Sequence, residues 1–336
     1  MIRRGERWLG AVGALGAIAA LLLVMADPRE ALTGWLAAAA LAAGLPAGAL
    51  ILLLMMAMIS GKWSDDLLGP ARLLGALWPV AALAFAPVVI GMAAIFPWFG
   101  APPHSAFAGV WLNPPFFAAR TLGWLALGWF VATRAALPIG EGFAAAMLIA
   151  FVLATNFTGS DWLMTLDPKF ASSGFGLQVI SFDTTAGLAA MILLRLAAGK
   201  PRNTAVLGGL LLTLLLLWAY LQFMPFLIIW SGNLPDGVAW YAVRESTGWV
   251  AAFSVAALLG GAPLFALLAP EVRHSPRRLG WCAAPVLAGK AIEFAWLALP
   301  GRGVVAVLAW LLTLAGLGCL AVAALVRAAR LAEARA

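Results

Sequence analysis

Long apolar runs limit the folds open to this chain of 336 residues more than any other feature. A helix needs roughly 20 apolar residues to cross about 30 Å of hydrocarbon. Runs of this length, bounded by charge, Pro or Gly, occur at about 8–26, 31–59, 73–96, 115–133, 137–158, 171–195, 203–230, 246–269, 279–299 and 303–326. They predict an all-α integral membrane protein with about ten transmembrane helices.

The composition agrees with this prediction. Hydrophobic residues make up 64% of the chain and charged residues 10%, and the mean hydropathy is +0.99. A transmembrane β-barrel would show segments of alternating polarity about 10 residues long, whereas the stretch 207–217 is apolar on every helical face. The segments between the runs are short, so we expect residues 1–336 to form a single transmembrane domain.

Basic residues predict the orientation of the helices, because cytoplasmic loops are enriched in Lys and Arg. With the N-terminus inside, the outer segments carry only Arg29, Arg120, Lys169, Arg244 and Arg302. The inner segments carry Arg3, Arg4, Arg7, Lys62, Arg72, Arg134, Arg195, Lys200, Arg202, Arg273, Arg277, Arg278, Arg327, Arg330 and Arg335. We therefore expect both termini in the cytoplasm, and contact with anionic lipid explains the net charge of +7 without a nucleic-acid partner.

The first run follows three arginines, as the core of a signal peptide does, but it is longer than the 7 to 15 apolar residues typical of such a core. We expect it to be a retained helix.

Cysteine and histidine usage gives no sign of a redox centre. Cys282 and Cys319 fall in separate runs with no metal-binding spacing, and His104 and His274 fall in loops. A membrane-embedded haem needs axial ligands, usually histidines within helices. We expect the chain to bind no haem, iron–sulfur cluster or other metal.

Three ionisable residues lie well inside apolar runs, where each costs at least about 2.5 kcal/mol on insertion scales. Lys290 and Glu293 are three residues apart and so share one helical face. They are either a neutralising ion pair or part of a proton relay, and the two roles are compatible. Asp183 lies between hydroxyl residues, and we interpret it as a proton carrier, with a protonated or hydrogen-bonded acid packed against a helix as the alternative.

Glu141 is a fourth candidate for a proton path. It lies at the cytoplasmic start of the fifth run, where a carboxylate also stabilises the helix N-terminus, so simple capping is the competing interpretation.

Charged residues also gather in the predicted outer layer of the membrane. Arg120 and Arg244 each lie near the outer start of a helix, against the helix dipole. We predict that they join an interfacial salt-bridge cluster, or a contact with a periplasmic partner, formed with Asp161, Asp167, Lys169, Asp236 and Glu245.

Four segments in this order resemble one known family. They are SGKWS at 60–64 with Arg72, WLNPPFF at 111–117 with Arg120, SDWLMTLDP at 160–168, and QFM at 222–224 leading through IIW at 228–230 to GNLP at 232–235. Together they are similar to the ActF-like membrane subunit of alternative complex III. That subunit is a relative of the NrfD/polysulfide reductase family and is also called quinol:cytochrome c oxidoreductase quinone-binding subunit 2.

The resemblance implies two four-helix bundles, at about 31–158 and 171–299, between flanking helices at about 8–26 and 303–326. It also implies assembly with a related NrfD-like membrane subunit, an iron–sulfur subunit and cytochrome c subunits in the bacterial inner membrane. Haem c and iron–sulfur clusters would belong to those partners. Whether quinol binds at or near this chain stays open, as does proton translocation.

The chain departs from the family pattern at two places. Lys169 stands where the resemblance leads us to expect a histidine, and Lys290 and Glu293 stand where the family tends to have a His and an Asp. Lysine normally stays protonated near neutral pH unless it is buried, so a histidine-based relay is weakened. A carboxylate route through Asp183 and Glu293 is unaffected.

The leading hypothesis is a cofactor-free integral subunit of a quinol-oxidising respiratory complex, which anchors the complex and is either non-catalytic or associated with the quinone. The alternatives are a purely structural scaffold and a secondary transporter. Gly44-Leu45-Pro46 in the second run leaves room for the broken helix that many transporters use.

Overall fold

A computed structural model of the chain describes residues 2–101, 105–135 and 137–333. The protein is 84% helix, with no strand in the described residues. The helices are α1 (Ile2–Leu22), α2 (Pro28–Met58), α3 (Ser64–Gly75), α4 (Trp78–Ile90), α5 (Met92–Ile95), α6 (Ala106–Trp111), α7 (Pro114–Arg134), α8 (Glu141–Leu163), α9 (Phe175–Ala197), α10 (Thr204–Gly232), α11 (Pro235–Ala242), α12 (Thr247–Leu268), α13 (Pro270–His274), α14 (Pro276–Ala298) and α15 (Val304–Glu333).

Eight helices in the described ranges are long and apolar enough to cross a membrane, and they are α1, α2, α7, α8, α9, α10, α12 and α15. The predicted class, an all-α multi-pass membrane protein, is therefore confirmed. Helices α3 and α4 would add a ninth span if they act as one bent unit. Helix α14 is long enough but carries four charged residues and is not among the eight, so the predicted count of ten stays a prediction.

The third predicted helix, at 73–96, is wrong in its boundaries. A helix begins earlier, at Ser64, and ends at Gly75; the chain then bends by 40° before α4 begins. Pro79 lies in the first turn of α4. Proline has no N–H to donate to the carbonyl of Gly75, four residues earlier, and its ring would clash with that carbonyl, so a continuous helix cannot pass this point. In the first turn of a new helix the missing N–H costs nothing.

Three long helices begin in the same way, with a capping side chain followed by proline. Asp27, Asn113 and Ser275 each accept a hydrogen bond from the backbone N–H three residues later. The proline that follows each cap occupies the first turn, where no N–H is needed.

Two other differences from the sequence predictions affect the site. Helix α8 continues to Leu163, so Asp161 lies in its last turn and not in an outer loop. Helix α2 runs without interruption through Pro46, so the break for which Gly44-Leu45-Pro46 left room under the transporter alternative is absent from this described helix.

The long helices contact one another in two rings. In the first ring α2 contacts α3 and α4, α4 contacts α7, α7 contacts α8, and α8 returns to α2. In the second ring α9 contacts α10, α10 contacts α12, α12 contacts α14, and α14 returns to α9. Helices α2 and α9 join the two rings, while α1 and α15 pack together and α15 lies against α2.

Small residues allow α2 and α9 to approach closely at the centre of the molecule. A Cβ atom on Gly48 would overlap the backbone carbonyl of Asp183, and one on Gly187 would lie 2.8 Å from the backbone nitrogen of Ala49. Glycine at such positions is the usual means of close helix packing in membranes. This contact places Asp183 at the boundary between the two rings.

Candidate functional site

Helix α14 carries the candidates Lys290 and Glu293, and the structure brings their charged groups together. Lys290 Nζ donates to Glu293 Oε2 at 2.6 Å, and each residue is only 1% exposed. Burying either charge alone would cost several kcal/mol, and the partner charge offsets much of that cost. The pair is therefore a coupled unit inside the second ring.

A tryptophan from α10 completes the surroundings of this pair. Trp218 Nε1 donates to Glu293 Oε1 at 2.7 Å, so both carboxylate oxygens of Glu293 have a partner. Lys290 Nζ lies 4.0 Å from the centre of the Trp218 ring and 4.9 Å from the centre of the Phe182 ring. Both distances suit cation–π attraction, which supports a charged Lys290 at this depth.

On the other side of Trp218 lies an aromatic cavity of about 470 Å³. Its wall is formed by α10, by α11 and the residues after it, by α12, and by Trp296 of α14. The lining residues are Trp218, Ala219, Gln222, Phe223, Phe226, Tyr241, Arg244, Glu245, Val250, Phe253, Ala257 and Trp296. A volume in the range of about 300 to 1,000 Å³, with mostly apolar walls and a few polar groups, is typical of small-molecule sites.

The polar groups of the aromatic cavity lie at separate points along its wall. Gln222 is one helical turn beyond Trp218, and its Oε1 accepts a hydrogen bond from Gln178 of α9. Glu245 is exposed at the α11 end of the cavity. Tyr241 belongs to α11, where burial raises the pKa of its phenol to about 12, so it is a neutral donor at physiological pH.

Arg244 is buried at the α11 end of the aromatic cavity and donates hydrogen bonds to backbone carbonyl oxygens. Its guanidinium lies 3.3 Å from the centre of the Trp240 ring and donates to the carbonyl oxygens of Trp240 at 2.6 Å and Leu297 at 2.9 Å. Burial lowers its pKa to about 9, which still leaves it protonated at neutral pH. The predicted salt bridge from Arg244 to a carboxylate is not among the ion pairs of the described residues.

Asp183 faces the first ring from α9, beside Gly44 of α2. Its Oδ1 is buried and has no hydrogen-bond partner in the described part of the chain. A cavity of about 10 Å³, close to the lower limit for one water molecule, is lined by Asp183, Thr155 and Thr158, with Trp124 and Phe294. An unpaired buried carboxylate is expensive when charged, so this position favours the protonated acid.

Two aromatic rings separate Asp183 from the Lys290–Glu293 pair. Phe294 lines the small cavity beside Asp183 and meets Phe182 edge to face, with ring centres 5.7 Å apart. Phe182 in turn faces Lys290. Asp183 and the Lys290–Glu293 pair are thus neighbours across these two rings, but no hydrogen bond between described residues joins them.

The predicted outer cluster contains one compact unit, formed by Arg120 and Asp161. Arg120 Nε donates to Asp161 Oδ2 at 2.7 Å, and Trp111 Nε1 donates to Asp161 Oδ1 at 2.8 Å. The guanidinium also lies 4.2 Å from the centre of the Trp111 ring and 4.4 Å from that of Phe116. This unit ties α7 to the end of α8 and to α6.

The remaining predicted residues do not join that unit. Asp167 Oδ1 accepts a hydrogen bond from the backbone N–H of Lys169, and the Lys169 side chain is exposed. Glu141, the candidate on the predicted cytoplasmic side, is exposed in the first turn of α8, where its charge is favourable to the helix dipole, and the N-cap residue Gly140 makes no side-chain hydrogen bond. The single outer cluster expected from the sequence is therefore divided.

Sequence reasoning missed Asp66, which is buried at the side of the molecule predicted to be cytoplasmic. Its carboxylate accepts hydrogen bonds from Arg195 Nε at 2.9 Å and from the backbone N–H groups of Arg202 and Asn203 at 3.0 and 2.8 Å. It joins α3 of the first ring to the loop before α10 of the second. Its place in the first turn of a helix gave only a capping signal.

The sequence also did not single out Trp218 or Phe253 as site residues, although Gln222 belongs to one of the four motifs. His104 lies outside the described residues. Within the residues that the structure describes, no group of three or more His, Cys, Asp or Glu side chains is arranged to hold a metal ion.

Comparison of the chain with known protein families gives no match, and comparison with curated proteins gives none either.

Proposed function

We propose that this chain is a cofactor-free integral membrane subunit of a quinol-oxidising respiratory complex of the alternative complex III type, in the bacterial inner membrane. The observation that carries the proposal is the aromatic cavity between α10 and α12, which is lined by the same Trp218 indole that donates a hydrogen bond to Glu293 of the buried pair. The order of the four sequence motifs supports the same family. One of these motifs supplies Gln222, which lines the cavity.

The shape of the aromatic cavity suits a ring with an apolar tail. The ring would pack among Trp218, Phe253 and Trp296, since flat apolar rings gain from offset and edge-to-face contacts with aromatic side chains. The tail would leave between α10 and α12, where Phe223 and Phe226 are exposed. Gln222 and Tyr241 would hydrogen-bond the hydroxyl groups of the ring.

Quinol oxidation releases protons as well as electrons, and the buried pair offers a place for a proton. Movement of the Trp218 indole would expose the Glu293 carboxylate to the aromatic cavity, because the indole both lines the cavity and donates to Glu293. The attraction of Lys290 favours the ionised form of Glu293, which is the form that can accept a proton. Asp183, on the other side of the Phe182 and Phe294 rings, is the candidate for the next group that binds the proton.

Electrons would pass to partner subunits. The proposed partners are a related NrfD-like membrane subunit, an iron–sulfur subunit and cytochrome c subunits, with haem c and the clusters held by them. Co-purification in mild detergent tests this assembly: we expect a partner carrying haem c or iron–sulfur clusters. A lone homo-oligomer that moves a solute would contradict the proposal and favour a transporter.

Binding of a quinol analogue to the purified assembly tests the role of the aromatic cavity. We expect Trp218→Leu to weaken analogue binding about tenfold or more, because it removes one wall of the cavity and about 1 to 2 kcal/mol of ring packing. Trp230→Leu is the matched control, since Trp230 lies on the same helix, is 68% exposed and does not line the cavity. Equal loss in both variants would contradict the proposal.

A structural scaffold is the second candidate, and internal pairing favours it. The ion pairs Lys290–Glu293, Arg120–Asp161 and Arg195–Asp66 satisfy most of the buried charge without any ligand. Asp183→Asn and Glu293→Gln, made separately, discriminate between the two functions. A scaffold keeps quinol turnover and proton uptake once assembly is confirmed, whereas a proton path loses both.

A further inference from the structure

A wide groove lies at the opposite end of α14 from the aromatic cavity, where α9 ends and α14 begins. Its volume is about 720 Å³. Leu193 and Leu196 of α9 and Gly280 of α14 form apolar walls, and Lys200 and Arg277 stand at its polar end. We call it the basic groove.

The two cations of the basic groove are available to a ligand. Lys200 and Arg277 are both exposed, and neither takes part in an ion pair within the described part of the chain. The neighbouring Arg278 differs, since it lies 3.6 Å from the carboxylate of Glu271. Two unneutralised cations at one end of an apolar groove match a molecule with an anionic head and an apolar body.

Trp281 adds a second observation that points to the same kind of molecule. It lies in the second turn of α14, is 71% exposed and lines the basic groove. It also lines another groove of about 390 Å³ between α12 and α14, together with Leu258, Leu259 and Pro263. An indole that stands between two apolar grooves near a row of cations is typical of the membrane interface, where tryptophan lies at headgroup level.

We propose that the basic groove binds one anionic phospholipid. Its phosphate is held by Lys200 and Arg277, and its acyl chains lie on the two sides of the Trp281 ring. A soluble anion would use the cations but leave both apolar grooves empty, and a zwitterionic lipid would bring the positively charged part of its headgroup against two cations. Basic pockets between helices on the cytoplasmic side are suited to anionic headgroups, and the distribution of basic residues predicts that this end is cytoplasmic.

Lipid binding to the full chain in mild detergent, followed by native mass spectrometry, tests the proposal. We expect wild-type protein to retain phosphatidylglycerol in preference to phosphatidylcholine. We expect Lys200→Ser with Arg277→Ser to weaken phosphatidylglycerol binding roughly 25-fold, at about fivefold for each charge removed. The matched control is Lys62→Ser with Arg327→Ser, which removes two exposed cations from the same predicted side but away from the groove.

Three results would overturn the proposal. Equal retention of phosphatidylcholine would show that an anionic headgroup is not required. Equal weakening in the control variant would show that binding depends on the total positive charge and not on the basic groove. Displacement of phosphatidylglycerol by millimolar inorganic phosphate would show a phosphate site that needs no lipid. The lipid preference of the wild-type protein tests the proposal even if the double variant fails to fold.

Discussion

Lys290 and Glu293 occupy a part of α14 where either charge alone would be unfavourable. The Glu293 carboxylate accepts two hydrogen bonds, one from Lys290 at 2.6 Å and one from the indole of Trp218. Removing one partner from a buried pair leaves an uncompensated charge, while removing both leaves none. The two kinds of variant should therefore differ sharply in stability.

We expect Glu293→Gln to lower the free energy of unfolding by about 3 to 5 kcal/mol, because Lys290 would stay buried without its counter-charge. The double variant Lys290→Met with Glu293→Met should lose much less. Thermal unfolding in mild detergent measures both. Equal losses would show that packing around these side chains matters more than their charges.

Arg120 combines an ion pair with stacking, and only arginine provides both. We expect Arg120→Lys to destabilise the protein by about 1 to 2 kcal/mol, because an ammonium keeps the charge but loses the planar contacts with Trp111 and Phe116. Arg134→Lys is the control, since Arg134 is exposed and lies farther from its aromatic neighbour Phe143, at 5.5 Å. A similar melting temperature for both variants would contradict this interpretation.

Sequence reasoning at the residue scale succeeded where the partner is local. Lys290 and Glu293 are three residues apart on one helix, so their contact follows from helix geometry. Trp218 and Glu293 are 75 positions apart, and Arg244 binds carbonyl groups that any residue could supply. Such contacts depend on how α10, α11 and α14 pack against one another, and a local sequence pattern does not predict that packing.

At the scale of elements, the length of the apolar runs predicted where most helices lie. The main exception is the run at 73–96, which a proline divides. Hydropathy continues across residues 77–80, so the run at 73–96 read as one helix although Pro79 breaks it. The close contact of α2 with α9 could not be predicted from the sequence either. Gly48 and Gly187 reveal their role only when the neighbouring helix is known.

The α2–α9 contact leads to a prediction about packing between the two rings. We expect Gly48→Ala to lower the unfolding free energy by about 1 to 3 kcal/mol, because the added methyl group would overlap the backbone carbonyl of Asp183 and force the helices apart. Gly209→Ala on α10 is the control, since its Cβ would meet open space and alanine favours the helix. Melting temperatures in detergent should fall for the first variant and not for the second.

At the scale of the whole molecule, the topology depends on whether α14, with its four charged residues, crosses the membrane. Eight apolar helices and the bent α3–α4 pair give nine crossings, which would place the two termini on opposite sides. If α14 also crosses, the number is even and both termini lie on one side. Helix α14 closes the second ring between α9 and α12, and its Lys290–Glu293 pair neutralises its buried charge, so the packing favours a tenth crossing.

Reporter fusions test this topology. We expect a fluorescent reporter that is active only in the cytoplasm to be active when fused after Arg330, and a periplasmic phosphatase to be active when fused after Gly301, in the loop between α14 and α15. Fusion after Gly199, in the loop between α9 and α10, is the internal control for the cytoplasmic side. A phosphatase signal after Arg330 together with a fluorescent signal after Gly301 would mean that α14 does not cross. The aromatic cavity and the basic groove, at opposite ends of α14, would then no longer face opposite leaflets.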